Sequence, residues 1–214
     1  PEVGFVIRVV SNDAKPAPFP DLKKAGDEQL VEHIGSGSHV LRQYAQRELL
    51  RRGEKPAFAA GLEKLAASDK PLAARVAAIF TLKQLLGTKS HDALLKLAKS
   101  DELREHALRA LTDRKKECAG LPLKTFVEAL ADANPRVRLQ AAVALSRIGN
   151  SEAAGGLMPL VADADPLVMH AGIKALVTLR AIDPALKALD KTDVKVIPGA
   201  LRVLQGIHDT KVVE

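Results

Sequence analysis

Residues 133–150 read ANPRVRLQAAVALSRIGN, and one spacing inside them decides the fold. Arg138 is followed by Ala141 three places on and by Leu145 seven places on. The same order returns as Arg42-Ala45-Leu49, Arg75-Ala78-Leu82 and Arg104-Ala107-Leu111. Two looser copies follow, Met169-Gly172-Leu176 and Ile197-Ala200-Leu204. In each copy the residue before the first position is apolar: Leu41, Ala74, Leu103, Val137, Val168 and Val196. Successive copies start 33, 29, 34, 31 and 28 residues apart. Self-similarity at a period of about 30 residues is the mark of a repeat solenoid.

At about 100° per residue, the apolar residue at −1, the Ala at +3 and the Leu at +7 fall within about 80° of one another on a helix. A small residue at +3 lets neighbouring helices approach closely. Ahead of each copy lies a second apolar stripe with helical spacing, such as Leu30/Val31/Ile34, Phe126/Val127/Leu130 and Leu157/Met158/Val161. Short polar turns separate the two: GSGS, SDKP, SDE, DANP, DADP and DKTD. Pro71, Pro135 and Pro166 stand where a helix starts, the place that tolerates a missing N–H, and Asp or Asn just upstream can cap free amides. Gly149 is placed to stop the helix before it. The expectation is therefore all-α: a right-handed α-solenoid of about six helix pairs over residues 27–214. One pair cannot bury both its faces, so stacked pairs share a core.

The front of the chain differs. In PEVGFVIRVV, Phe5, Ile7 and Val9 alternate with Val6, Arg8 and Val10, which predicts a β-strand. Pro16, Pro18 and Pro20 then impose an extended linker. Residues 1–26 thus read as an orphan strand and a Pro-rich connector from a preceding domain. Aromatic residues make up 3% of the 214-residue chain, with no Trp, so the core must be aliphatic and base- or sugar-stacking platforms are disfavoured. The net charge of +6 is modest, without a polybasic arm. The single cysteine, Cys118, excludes an internal disulfide and any CxxC or CxxCH site, and reads as an inert thiol near a loop. There is no run of about 18 apolar residues to span a membrane, and no signal peptide is read.

DANPRVRLQAAVALSRIGN and DADPLVMHAGIKALVTL resemble HEAT repeats, with the Asp, Pro, Val-Arg, Ala and Leu positions of that family, over about residues 27–208. The resemblance implies an Asp–Arg ladder between repeats. Asp69 and Asp132 lie six residues before Arg75 and Arg138, and Asp163 is present where Met169 replaces the arginine. A longer front segment, GFVIRVV through AAGLEKL, is similar to large secreted or membrane-associated dehydrogenase-like proteins of planctomycetes and verrucomicrobia. Those join a sugar-dehydrogenase-type β-propeller to a HEAT region and often a cytochrome c domain. That likeness implies an exported parent whose last propeller strand is Gly4–Val10. It carries no redox residue onto this chain.

No catalytic, metal or cofactor site is expected. His33, His39, His91, His106, His170 and His208 form no metal-ligand spacing and read as solvated. Asp113–Glu117, DRKKE, reads as a solvated loop. One pattern points to a partner. The +5 position of each second helix holds Arg47, Phe80, Arg109, Val143, Lys174 and Arg202, and +9 adds Arg51 and Arg147. These positions point away from the −1/+3/+7 stripe. Arg47, Arg51, Arg109, Arg147, Lys174 and Arg202 are therefore the candidate partner-binding residues, a basic stripe on the concave side. The function expected is a non-catalytic interaction or spacer module binding a protein or a domain of its own parent. Two alternatives are a nucleic-acid binder, as in the HEAT-like alkylpurine DNA glycosylases, and a chromophore-lyase-like HEAT protein. Absence of Trp and modest charge weigh against the first, and the lack of a reactive pocket against the second.

Overall fold

A computed structural model describes residues 18–190 and 194–212, with Gly4, Ile7, Val9, Asn12 and Asp13 ahead of them. Among these residues there are helices and no strand. The expected strand falls mostly outside the described residues. Six pairs run along the chain: α1 (Asp27–Ile34) with α2 (His39–Arg52), α3 (Pro56–Ala66) with α4 (Leu72–Leu86), and α5 (His91–Leu97) with α6 (Arg104–Leu111). Then come α7 (Leu123–Ala129) with α8 (Pro135–Ile148), α9 (Ala154–Leu157) with α10 (Pro166–Thr178), and α11 (Ile182–Leu189) with α12 (Ile197–Gly206).

The helix ends follow local chemistry. Asn134 Oδ1 accepts from the Arg136 amide at 3.0 Å and Pro135 opens α8. Asp165 Oδ1 accepts from Leu167 (2.8 Å) and Val168 (3.2 Å) at the start of α10. Pro71 sits one place earlier than its counterparts, as the residue before α4. Gly149 closes α8 in the left-handed conformation (φ 76°, ψ 16°), returning its N–H to Leu145 O. That geometry strains any residue with a Cβ. The fifth first helix departs from the expected continuous stripe. After one turn of α9 the chain tightens into a 3₁₀ segment, Met158–Ala162, because Pro159 lacks the N–H for an α-helical bond and Gly155-Gly156 favours helix weakly.

The repeated phase is the core. Ala45, Ala78, Ala107, Ala141 and Ala200 at +3 are fully buried, as are Leu49, Leu82, Leu111, Leu145 and Leu176 at +7. Each such Leu stabilises the fold by about 1.5–3 kcal/mol. At Gly172 the phase position tightens further: an added Cβ would lie 2.7 Å from Leu160 Cβ, so the 3₁₀ segment packs where even Ala does not fit. Second helices pack on one another along the whole row, α2 on α4, α4 on α6, α6 on α8, α8 on α10 and α10 on α12. On the first-helix side a groove of about 460 Å³ opens between α5 and α7, lined by Leu95, Lys99, Pro122, Thr125 and Glu128. Apart from α1 on α3, the first helices pack on one another less closely than the second helices do, which bends the stack with the second helices inside.

The arginine that opens each phase joins repeats. It first satisfies carbonyls ending its own first helix: Arg75 Nε to Ala66 O at 3.1 Å, Arg104 Nε to Ala98 O at 3.1 Å, and Arg138 Nη1 to Asp132 O at 3.0 Å. It then reaches an acid of the next repeat: Arg75 to Glu102, Arg104 to Asp132 (2.5 Å), and Arg138 to both Asp163 oxygens (2.8 Å each). Met169 ends the ladder. At its start Arg42 donates to Ser36 O (2.6 Å) and Gly37 O (3.1 Å), and no ion pair joins it to the exposed Asp69. The front of the solenoid is tied down by Arg52, which pairs with Asp27 (2.8 Å) and Glu48 (2.9 Å). It also donates to the carbonyls of Leu22, Lys23 and Ala25 at 3.2, 3.1 and 2.8 Å.

Two outcomes test this packing. Ala141→Leu forces extra methylenes between touching helices and is expected to lower stability by about 1–3 kcal/mol in urea unfolding. Asp163→Ala leaves the Arg138 guanidinium half-enclosed and unpaired, and costs about 3 kcal/mol. Glu54→Ala, which breaks the exposed Lys89 pair, costs under about 1 kcal/mol. Equal effects for the two acids would refute the ladder.

Candidate interaction surface

The structure separates the six basic candidates into two groups. Arg47, Arg109, Lys174 and Arg202 at +5 are exposed, one on each of α2, α6, α10 and α12. Phe80 and Val143 fill the same position on α4 and α8 and are partly buried. The Arg109 guanidinium lies over the Phe80 ring, 5.7 Å from its centroid. Arg47 lies over Tyr44 at 5.4 Å. Such contacts hold a guanidinium without neutralising it.

The +9 residues are engaged elsewhere. Arg51 is bidentate on Glu48, with Nε to Oε2 at 2.8 Å and Nη2 to Oε1 at 2.6 Å. Arg147 turns back to the preceding repeat and donates to Thr112 O at 2.8 Å. Arg51 is thus tied to Glu48 of its own helix and Arg147 ties its helix to the preceding repeat, so both +9 arginines have acceptors within the protein.

Among the described residues, every other arginine has a hydrogen-bond or ion-pair acceptor: Arg42, Arg51, Arg52, Arg75, Arg104, Arg114, Arg136, Arg138, Arg147 and Arg180. Arg47, Arg109 and Arg202 have none, and all three stand at +5. A free guanidinium keeps its five donors for an incoming acceptor.

A polar cluster lies below the surface where solvated residues were expected. Lys83 of α4 is fully buried. Its Nζ is 2.9 Å from His91 Nε2 and 3.0 Å from Glu117 Oε2, close enough for an ion pair but poorly aligned for a hydrogen bond to that oxygen. Arg114 Nη1 holds the other Glu117 oxygen at 3.0 Å. Burial opposes ionisation of Glu117, yet Lys83 and Arg114 outweigh it and hold its carboxyl below the usual range. Burial, then the Lys83 charge, pushes His91 down, and burial pushes the Cys118 thiol up. Glu117 and Arg114 of DRKKE thus belong to an ion cluster joining α4, the start of α5 and the α6–α7 connection, while Asp113, Lys115 and Lys116 are exposed as expected. A lysine at +8 carries no signal of this role in the sequence, since its charge partner Glu117 lies more than 30 residues away. Among the described residues no group of three His, Cys, Asp or Glu could hold a metal ion, and no helix is long and apolar enough to cross a membrane.

Comparison with known proteins bears on the fold. The family model for HEAT repeats matches residues 91–177 and 123–204. No curated protein matches the chain. Similar solved structures include a designed armadillo repeat protein in complex with the peptide (KR)4, with TM-score 0.54, 20% identity, and coverage of 84% of this chain and 98% of that one. Another is an engineered protein with TM-score 0.54, 20% identity, and coverage of 88% and 96%. A third is the complex of CpcE and CpcF of phycocyanin lyase from Nostoc sp., with TM-score 0.54, 20% identity, and coverage of 69% and 95%. At these identities the likeness is one of fold.

The charge pairs set the pH response. Arg51 and Arg52 hold the Glu48 carboxyl at about 2, below its ordinary 4.5. A depressed folded pKa contributes stability that is present above the unfolded value and lost as pH falls through the folded one. Urea midpoints are therefore expected to fall in two stages: below about 6.5, from His91 and His106, and again from about 4.5 toward 2, from Glu48 with Asp27, Glu117, Asp132 and Asp163. His91→Gln combined with His106→Gln should remove much of the first stage and Glu48→Gln should shrink the second. Unchanged profiles would show that these groups titrate as they do in the unfolded chain.

Proposed function

Because the chain belongs to the HEAT-repeat family, we propose that it is a non-catalytic protein-interaction module presenting its second-helix face to an acidic partner. The observation that carries this is the set of arginines left without an acceptor, Arg47, Arg109 and Arg202, which share one helical phase with Lys174. Elsewhere the arginines are taken up by acceptors within the protein, whereas these three keep their donors for a partner. A row of like charge on a rigid inner face adds its fields and favours a ligand of opposite sign. A designed repeat protein of similar fold is known with a basic peptide; the row here carries the opposite sign and suits an acidic one. The wider setting, a spacer within a larger exported dehydrogenase-like protein, is supported by the sequence likeness of the front segment.

The test is binding of fluorescein-labelled polyglutamate and polylysine at low and moderate salt. Polyglutamate is expected to bind, and to weaken steeply as the Debye length shrinks from about 10 Å at 0.1 M. Arg109→Glu with Lys174→Glu is expected to weaken it at least about tenfold with an unchanged circular dichroism spectrum, since both residues are exposed. Equal binding by the reversed protein would end this reading.

A further inference from the structure

Two of the described aromatic side chains stand half in solvent, and they stand together. Phe19 is 52% exposed and Tyr44 49% exposed. They meet edge to face, with centroids 5.3 Å apart and planes at 68°. Phe58 and Phe126 are fully buried by contrast. Single exposed apolar residues are ordinary, but an exposed aromatic pair beside a free guanidinium has the composition of an interface anchor.

Phe19 lies ahead of the first helix, yet its position is fixed. Leu22 is buried, and the Arg52 clamp grips the carbonyls on both sides of Lys23. The Lys23 amide donates to Asp21 Oδ1 at 3.2 Å, tightening the turn. On the other side Tyr44, Arg47 and Arg51 follow one another at i, i+3 and i+7, on one face of α2. Arg51 is held by Glu48, which leaves Arg47 as the free cation beside Tyr44. Phe19, Pro20, Lys23, Tyr44 and Arg47 border a notch of about 510 Å³. It stands at the N-terminal end of the basic row.

We propose that this notch seats a large apolar or aromatic side chain of an extended acidic segment, whose carboxylates then follow the row to Arg47, Arg109, Lys174 and Arg202. This rests on the interaction-module reading and names its partner class. The geometry sets a spacing. Packed helices lie about 8–10 Å apart and an extended chain rises about 3.3 Å per residue, so one repeat spans about three residues. Arg47 and Arg109 are two helices apart, as are Arg109 and Lys174, while Arg202 is one further. Acidic residues are therefore expected about six, six and three positions apart, within a segment of about 16 residues. The residues between meet Phe80 and Val143, where an apolar side chain fits and a charge does not. A nucleic acid carries a phosphate at every nucleotide and cannot leave those two positions uncharged, which favours a peptide.

The experiment is selection from a phage-displayed library of random peptides about 16 residues long against the full chain. Wild type, Phe19→Ala and Tyr44→Ala are compared, with a labelled oligothymidylate of similar length as a parallel probe. Wild type is expected to enrich Asp- and Glu-rich peptides at these intervals with one aromatic or large aliphatic residue toward one end. A synthetic representative is expected to lose at least about tenfold in affinity when that residue becomes Ala or when Tyr44 does, with the two losses not adding. Both variants should keep the wild-type circular dichroism spectrum. Acidic peptides that lack the anchor and bind Tyr44→Ala equally would overturn the notch and leave the acidic-groove reading standing. Failure to enrich acidic peptides would overturn both. Tighter binding of oligothymidylate than of any selected peptide would assign the surface to nucleic acid instead.

Discussion

The burial of one small residue per repeat where helices pack on one another is the constraint on which the rest of this structure depends. Ala45, Ala78, Ala107, Ala141, Gly172 and Ala200 are all buried where helices meet. A larger side chain there separates helices that share a core, and each pair alone has too little apolar surface to stay folded. Second helices pack on one another along the whole row, while on the first-helix side a groove of about 460 Å³ opens between α5 and α7. Gly172 shows the limit of the rule, since the 3₁₀ segment lies so near that a Cβ would meet Leu160.

Close packing leaves polar groups at the helix ends and between repeats, and the ladder arginines meet that need. Each caps the carbonyls of one helix and reaches an acid of the next repeat, so one side chain satisfies a local and a non-local demand together. Lys83, Glu117, Arg114 and His91 play the corresponding part at the longest connection between repeats, inside the stack. A buried pair of this kind contributes little net stability when intact and costs much when one member is removed. Its value to the fold is position: the α6–α7 connection is held in one place against α4.

Once those structural tasks are assigned, the remaining basic groups stand out. Arg147 shares the outward side of its helix with the row in a flat projection, yet its guanidinium is bound to Thr112 O. Arg47, Arg109 and Arg202 differ from it in having no acceptor within reach. The function proposed for the inner face rests on this difference more than on net charge, which is modest at +6. The Phe19–Tyr44 pair extends the same logic to apolar surface, because both rings are held in place and neither is covered.

The sequence by itself determined the helix pairs, their number and their buried face, because those follow from contacts three, four and seven residues apart, and such contacts repeat with the chain. The Ala and Leu positions, the Asn134 and Asp165 caps and the Gly149 stop were all legible on that ground. The ladder was legible in part: Asp132 and Asp163 are partners as the spacing implies, while Asp69 is not and Glu102 takes a place that spacing does not mark. The break at Pro159 follows from the missing N–H, though the apolar spacing around it masked the change to 3₁₀. Only the tertiary structure decided which cations are free, that Lys83 is interior and that Phe19 returns to Tyr44. For Arg147, Lys83 and Phe19 the deciding neighbour lies about 25 or more residues away, and the charge or apolarity of a side chain carries no record of which distant group the stack will bring beside it.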